Sequence, residues 1–307
     1  AYLKAHFPAA FMAAVMSADL DNTDRLVTLK DDCRKQGLKL LAPSVNGSEY
    51  AFSVADDQTI LYGLGALKGV GRSVVDAIVA EREASGPYTN LTEFCRRVGH
   101  DKINRRAVEA MVKAGAMGDF GLSRRALMEQ VPEALASADQ AARAAAAGQN
   151  DMFGLEAPPP VADAPLAVDL PEWPEQEFLR CEKEALGLYL TGHPFDAVRR
   201  DAMAFVDGKL SDLLAEPPPQ SARGERNYAQ AQREVTVAGL IADMRKRGNR
   251  VSVVLDDDTG RMEIGFFSEA FQEFRHLLLK DQVVVISGGL RYDDFLSSWT
   301  VNARQVM

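Results

Sequence analysis

Little in this chain offers chemistry of its own. Three cysteines, Cys33, Cys95 and Cys181, lie far apart with no C-x-x-C pair; this argues against structural zinc and for the reducing cytosol. Four histidines, His6, His100, His193 and His276, show no metal-ligand spacing. No signal peptide is present and no apolar run reaches membrane-spanning length, so no membrane contact is expected. Neither G-x-G-x-x-G nor G-K-[ST] occurs in the glycine-rich stretch, which excludes a nucleotide loop. Nothing supplies a nucleophile–base pair. Positive charge is also lacking overall, at −9 net, which by itself discourages a nucleic-acid partner.

The charge is unevenly spread, however. Lys68 to Arg125 holds 11 Lys+Arg against 7 Asp+Glu, a net of +4 that leaves −13 on the rest of the chain. That segment opens with the stretch around which the chain is organised, Gly63-Leu-Gly-Ala-Leu-Lys68-Gly69-Val70-Gly71-Arg72-Ser73 and on to Arg82. Leu64, Leu67, Val70, Val74, Ala77 and Ile78 share one helical face. A short helix, a tight turn at positive φ in Gly69 and Gly71 with Val70 as plug, and a second helix are predicted. The amides of Gly71, Arg72 and Ser73 then open the second helix unpaired and make a phosphate site, with Lys68 and Arg72 adding charge. This helix-hairpin-helix pattern grips nucleic-acid backbone without reading bases. A plain helical hairpin with a glycine turn is the alternative. Lys102-Ile103-Asn104-Arg105-Arg106 reads equally as a degenerate second copy or as a solvated basic face.

At 307 residues, two or more domains are expected. The chain begins at Ala1 inside a helical pattern, as a piece of a longer protein would. Helices are expected over Phe11–Met16 and Leu26–Lys35, with Asn22 or Thr23 as cap and the nearby aspartates in a first turn rather than on a metal. Short extended pieces follow at 38–43 and near 50–54. Helices are predicted over 87–97, 103–114, 133–147, 178–190 and 209–214. Gln149, Asp151, Met152 and Phe153 stand in a proline-flanked segment with no local core, as a peptide docking into a partner's groove would; packing on its own domain is the alternative. His193 reads as a turn residue. After a linker to about 232 the periodicity turns to alternation. Three strands, a helix over 269–279 and two strands describe a five-stranded OB-type barrel. Asp256 to Asp258 sit at a hairpin turn and are discounted as a metal site. In the barrel, Arg245, Lys246, Arg247 and Arg250 form a basic loop to track a backbone. Met262, Ile264 and Phe266 point inward, leaving Phe267 outside for a base to stack on. The fold class is multidomain: a helical region, then an all-β barrel.

In this order the parts resemble the alpha subunits of bacterial replicative DNA polymerase III, the C-family polymerases. The resemblance covers nearly the whole chain. It rests on Tyr2-Leu-Lys4, Phe11-Met12, Ser17-Ala-Asp19, Asn22-Thr23, Tyr62 to Gly71, Gln149 to Phe153, and Leu186-Gly-Leu-Tyr-Leu-Thr-Gly-His-Pro194. It implies that 1–50 ends the fingers domain and that 51–155 is a tandem helix-hairpin-helix, clamp-binding region. A helical connector at 156–231 and an OB domain at 232–307 complete the chain. It implies duplex DNA, single-stranded template and the beta sliding clamp as partners, the clamp being met by Gln149, Asp151, Met152 and Phe153. In the full-length protein the proofreading exonuclease subunit and the clamp-loader tau subunit join them. The family's palm, with its metal-binding aspartates, lies upstream and the tau-binding tail is cut short. No cofactor and no catalytic residue is therefore expected here, Mg2+ belonging to the palm. A stand-alone repair or recombination module combining hairpins and an OB fold is the alternative.

Overall fold

The computed structural model describes residues 2–99, 101–146, 170–218, 233–248 and 250–307. They gather into two units, 1–191 and 192–307, each built on its own apolar core.

The first unit opens with α1 (Tyr2–His6), α2 (Pro8–Ala18) and α3 (Thr23–Lys35). Pro8 starts α2, where a missing N–H costs nothing. The Asn22 side chain accepts from the Arg25 amide at 3.1 Å and caps α3, with Asp24 in the first turn. Asp19 pairs with Arg25 at 3.5 Å. These acidic residues thus serve a helix start.

Three short strands follow, β1 (Lys39–Leu41), β2 (Ser53–Asp56) and β3 (Thr59–Leu61). β3 is central, parallel to β1 and antiparallel to β2. Its three residues are too few to show alternation in sequence. Four helices come next: α4 (Arg72–Ser85), α5 (Leu91–Val98), α6 (Arg105–Lys113) and α7 (Arg124–Ala146). Their buried faces, including Val75, Ile78, Phe94, Val108 and Met111, join Met12, Met16 and Leu26 in one core.

α7 begins nine residues before the predicted start at Glu133 and runs through Pro132. An internal proline costs a helix about 3 kcal/mol. Leu127, Val131 and Ala134 are buried on either side of it, and each large apolar side chain buried contributes about 1.5–3 kcal/mol. Packing therefore outweighs the break. α8 (Glu175–Leu186) returns to the same core through Ala185 and Leu186. Its fully buried Glu182 accepts from the amides of Leu190 and Thr191 at 2.7 and 3.0 Å and from the Thr191 hydroxyl at 3.0 Å. Arg124 stands 3.6 Å away, its pKa lowered by burial against the pull of Glu182. Burial likewise pushes the Cys95 thiol up to about 12 and the Cys33 thiol to about 11.

The second unit begins with α9 (Asp196–Ala202) and α10 (Leu210–Leu214). A closed barrel follows, made of β4 (Arg233–Arg247), β5 (Arg250–Asp256), β6 (Arg261–Phe266), β7 (Val283–Asp293) and β8 (Ser298–Val306). Strand order is β4-β5-β6-β8-β7, closing back on β4, with only β6 and β8 parallel. Along β6 burial alternates strictly, so Met262, Ile264 and Phe266 point inward as predicted. α11 (Ser268–Phe274) is shorter than the helix expected to reach Leu279, because the chain turns Leu278 into the core. A helical region followed by a five-stranded barrel is the predicted fold class.

The aspartate triplet is a turn device. Asp257 accepts from Thr259 and Gly260 and, at 2.9 Å, from the Leu210 amide that opens α10. Asp256 accepts from Asp258 and from Arg261 at 2.7 Å. Among the described residues no group of three or more His, Cys, Asp or Glu is arranged to hold a metal. His193 is buried in a turn, its Nδ1 accepting from the Phe195 amide at 3.3 Å.

Candidate nucleic-acid interface

The first hairpin differs from its prediction in two respects. Its entry is a single 3-10 turn, Leu64–Ala66, rather than a helix. A Cβ on Gly63 or Gly65 would lie 2.6–2.7 Å from the backbone or ring of Ala51 and Tyr50, so the two glycines serve close packing on that loop. Only Gly69 has positive φ, at +88°. Gly71 is extended at φ −83°, ψ 161° and stands as N-cap of α4, so a β-branched residue there is not strained. Val70 plugs the turn as predicted, 6% exposed.

What the turn delivers is a bare helix start. The Gly71 carbonyl accepts from Val74 and Val75 at 3.1 and 3.2 Å. The amides of Gly71, Arg72 and Ser73 have no protein acceptor among the described residues, and all three residues are exposed. Gly71 brings no side chain to cover them. Lys68, three residues before Gly71, is exposed. Arg72 sits 3.7 Å from Asp76 and 4.7 Å over the Tyr50 ring, still largely in solvent.

At the second hairpin Gly99 takes positive φ, at +92°, and Ile103, 4% exposed, takes the plug position. Asn104 is the extended N-cap of α6. Its side chain accepts from the Ala107 amide at 2.9 Å, the place that Val74 holds on the Gly71 carbonyl at the first hairpin; the amides of Asn104, Arg105 and Arg106 have no protein acceptor among the described residues, as at the first. Lys102 pairs with Asp101 at 3.1 Å and Arg105 with Glu109 at 2.7 Å. Arg106 leaves its own turn instead: its Nε lies 3.4 Å from where a Cβ on Gly69 would be. The fold thus brings a cation of the second hairpin against the first turn, and no spacing in the sequence signals this.

Three cations of the basic segment work internally. Arg97 donates to the carbonyls of Glu81, Gly86 and Pro87 and to the carboxylates of Glu81 and Glu93. Burial opposes its charge, but these carboxylates raise its pKa overall. Arg82 donates to Val45, Ser48 and Glu49, and Arg124 to the Lys113 carbonyl.

In the second unit the predicted basic loop is the end of a β-ribbon, with Arg245 opposite Ser252 and Arg247 opposite Arg250. Strand alternation places Arg245 and Lys246 on opposite faces, so they do not form one track. Arg245 binds Asp243 at 2.9 Å. Burial pulls the Asp243 carboxyl up, but Arg245 and the Met244 amide outweigh it and hold it below its ordinary value. The side chains of Arg247 and Arg250 lie outside the described ones, as do Gln149, Asp151, Met152 and Phe153. Phe267 is 58% exposed where β6 ends, near the turn end of the ribbon, since Phe266 pairs with Val251. The β7–β8 turn carries Phe295, 91% exposed, and Leu296. Because β8 runs parallel to β6, this turn lies at the opposite end of the β5–β6 face from the ribbon. Sequence reading passed over Phe295; an aromatic in an otherwise polar turn between two strands was its signal.

The helix-hairpin-helix motif family matches residues 37–127, and the OB-fold nucleic acid binding domain family matches residues 235–306. Fold and site thus define a nucleic-acid-binding region of the helix-hairpin-helix and OB class. Over 99–100% of its length the chain is similar to three DNA polymerase III subunits alpha. It is 44% identical to that of Xylella fastidiosa (strain Temecula1), 41% to that of Escherichia coli (strain K12) and 40% to that of Vibrio cholerae, covering 26% of each. The sequence is similar to the C-terminal region of these DNA polymerase III alpha subunits, and it spans about a quarter of those relatives. Among solved structures, an asparaginyl-tRNA synthetase from Pyrococcus horikoshii is 17% identical, with TM-score 0.23, over 25% of this chain and 19% of that one.

Proposed function

We propose that this chain is the DNA-gripping and tethering part of a replicative polymerase alpha subunit. The observation that carries the reading is the uncovered start of α4, three outward amides with Lys68, Arg72 and Arg106 around them. Such an end offers hydrogen-bond donors and the positive pole of the helix to a phosphate of either DNA strand, whatever the base. The barrel takes single-stranded template, with Phe267 and Phe295 as stacking platforms at the two ends of the β5–β6 face and Arg245 beside one of them. Template-directed synthesis, with its Mg2+, belongs to residues outside this chain. Gln149, Asp151, Met152 and Phe153 would tether the assembly to the beta sliding clamp, and the exonuclease and tau subunits would join in the full-length protein. A cytoplasmic enzyme fits this reading, and no helix among the described residues is long and apolar enough to cross a membrane.

Fluorescence anisotropy on duplex and single-stranded oligonucleotides of varied sequence, between about 50 and 200 mM salt, tests it. Duplex affinity is expected to ignore sequence and to fall with a log–log slope of about 0.9 for each phosphate engaged. Phe267→Ala and Phe295→Ala are each expected to weaken single-strand binding selectively, a stacked base being worth about 1–3 kcal/mol. A salt-independent duplex affinity, or none at low salt, contradicts the proposal.

A further inference from the structure

The last turn of α8 reaches back to the first hairpin. The Lys68 amide donates to the Ala185 carbonyl at 2.9 Å, and the buried Tyr62 hydroxyl to that of Leu186 at 3.4 Å. Gly187 ends the helix in the left-handed conformation, φ +79° and ψ −2°, its amide donating to Lys183 at 2.7 Å. A Cβ there would collide with the γ-methyl of Thr23 and would stand 3.1 Å from both Cε and Nζ of Lys68. The lysine is therefore tied to this turn by its main chain and laid across the bare α-carbon of the glycine by its side chain. The last carbonyls of the helix, at the negative end of its dipole, suit an ammonium resting there.

We infer that Gly187 is a positioning residue for duplex binding: the C-terminal turn of α8 holds Lys68 beside the open amides of α4, and only a residue without a Cβ lets the lysine cross. The inference rests on reading the first hairpin as a phosphate site and adds to it a helix from far downstream in the sequence. A side chain at 187 has to push apart α3, through Thr23, and the lysine. Because the Lys68 amide is bonded to the same turn, the shift reaches its backbone as well.

Duplex affinity and its salt slope, measured on the whole chain, test this. Gly187→Ala is expected to bind duplex about tenfold more weakly and to lose about one phosphate from the slope, roughly 0.9. Lys68→Ala should give the same loss, and the double variant no more than either single one. Thr23→Ser, which removes the colliding methyl, should restore part of the affinity in the Gly187→Ala background. A folded Gly187→Ala chain with the parental slope, or losses that add in the double variant, overturns the inference. Should Gly187→Ala fail to fold, hydrogen exchange on the parent decides: the Lys68 amide must be protected together with the last turn of α8, and free exchange there overturns it. Lys68→Ala without effect would instead count against the hairpin as a phosphate site.

Discussion

The two hairpins of the first unit share a plan and differ in the length of the turn and in the helix cap. Each has a glycine at positive φ, a buried aliphatic plug and an extended cap before the helix, yet the first is capped by Gly71 and the second by Asn104. Both helix starts leave their first three amides without a protein acceptor among the described residues; Asn104 adds a side-chain bond to the fourth, Ala107, typically worth about 0.5–2 kcal/mol to the helix. The cations separate the two turns: Arg106 reaches the first from the second hairpin, while Lys102 and Arg105 are matched with neighbouring acids, as Arg72 is with Asp76. The first turn receives a cation that the second gives up, so two copies of a motif are not two equal sites.

Breaking the first hairpin should have the largest effect. Gly69→Val puts a β-branched side chain at φ +88°, at a cost of about 1–2 kcal/mol. It also crowds Arg106, so duplex affinity is expected to fall at least tenfold while thermal unfolding shows a folded chain. Gly71→Val, by contrast, meets open space without backbone strain and should change stability little. Next in size is the charge comparison. Arg106→Ala is expected to weaken duplex binding severalfold and to lower the salt slope by about 0.9, whereas Arg105→Ala should leave the slope as it is; equal effects would erase the distinction between the turns. Asn104→Gly converts the second cap into the first. It should cost only a few tenths of a kcal/mol and leave duplex affinity nearly unchanged, since the first three amides of α6 are already uncovered, read by the same titration.

The smallest effect concerns the staple between the two. Arg97 joins the carbonyls where α4 ends to Glu93 of α5. Glu93 is held below its ordinary pKa: burial pushes it up, but bonds from Thr89 and Arg97 prevail. Glu81 is lowered by hydrogen bonds from Ser85 and Arg97. Depressed carboxyls stabilise the fold above their unfolded values near pH 4 and lose that contribution as pH falls through their folded ones. Melting temperature should therefore drop on acidification from about pH 5 to pH 3, and less steeply in Arg97→Gln. An unchanged acid limb would place the loss elsewhere.

How far the sequence led depends on what each feature leaves in it. The barrel was legible because period-two alternation survives in segments such as Met262-Glu-Ile264-Gly-Phe266, and every predicted strand of it is present. The open turn was legible from Gly69-Val70-Gly71, but two glycines in sequence do not tell which one takes positive φ. Gly71 is the extended helix cap, a place that Asn104 fills at the second hairpin. Arg106 and Gly187 reach the first turn only through the packing of α6 and α8, so no local spacing announced them. The opposite error came from charge counting. Arg82, Arg97 and Arg124 enlarged the basic segment on paper, yet the fold spends them on its own carbonyls and carboxylates.

Amide-resolved NMR on a titration with a short duplex tests the central claim most directly. The amide resonances of Gly71, Arg72 and Ser73 are expected to shift together and first, saturating with the duplex and receding as salt is raised, while those of Asn104, Arg105 and Arg106, whose turn has given Arg106 to the first, shift less. Shifts confined to α6, or equal at both helix starts, would contradict the account.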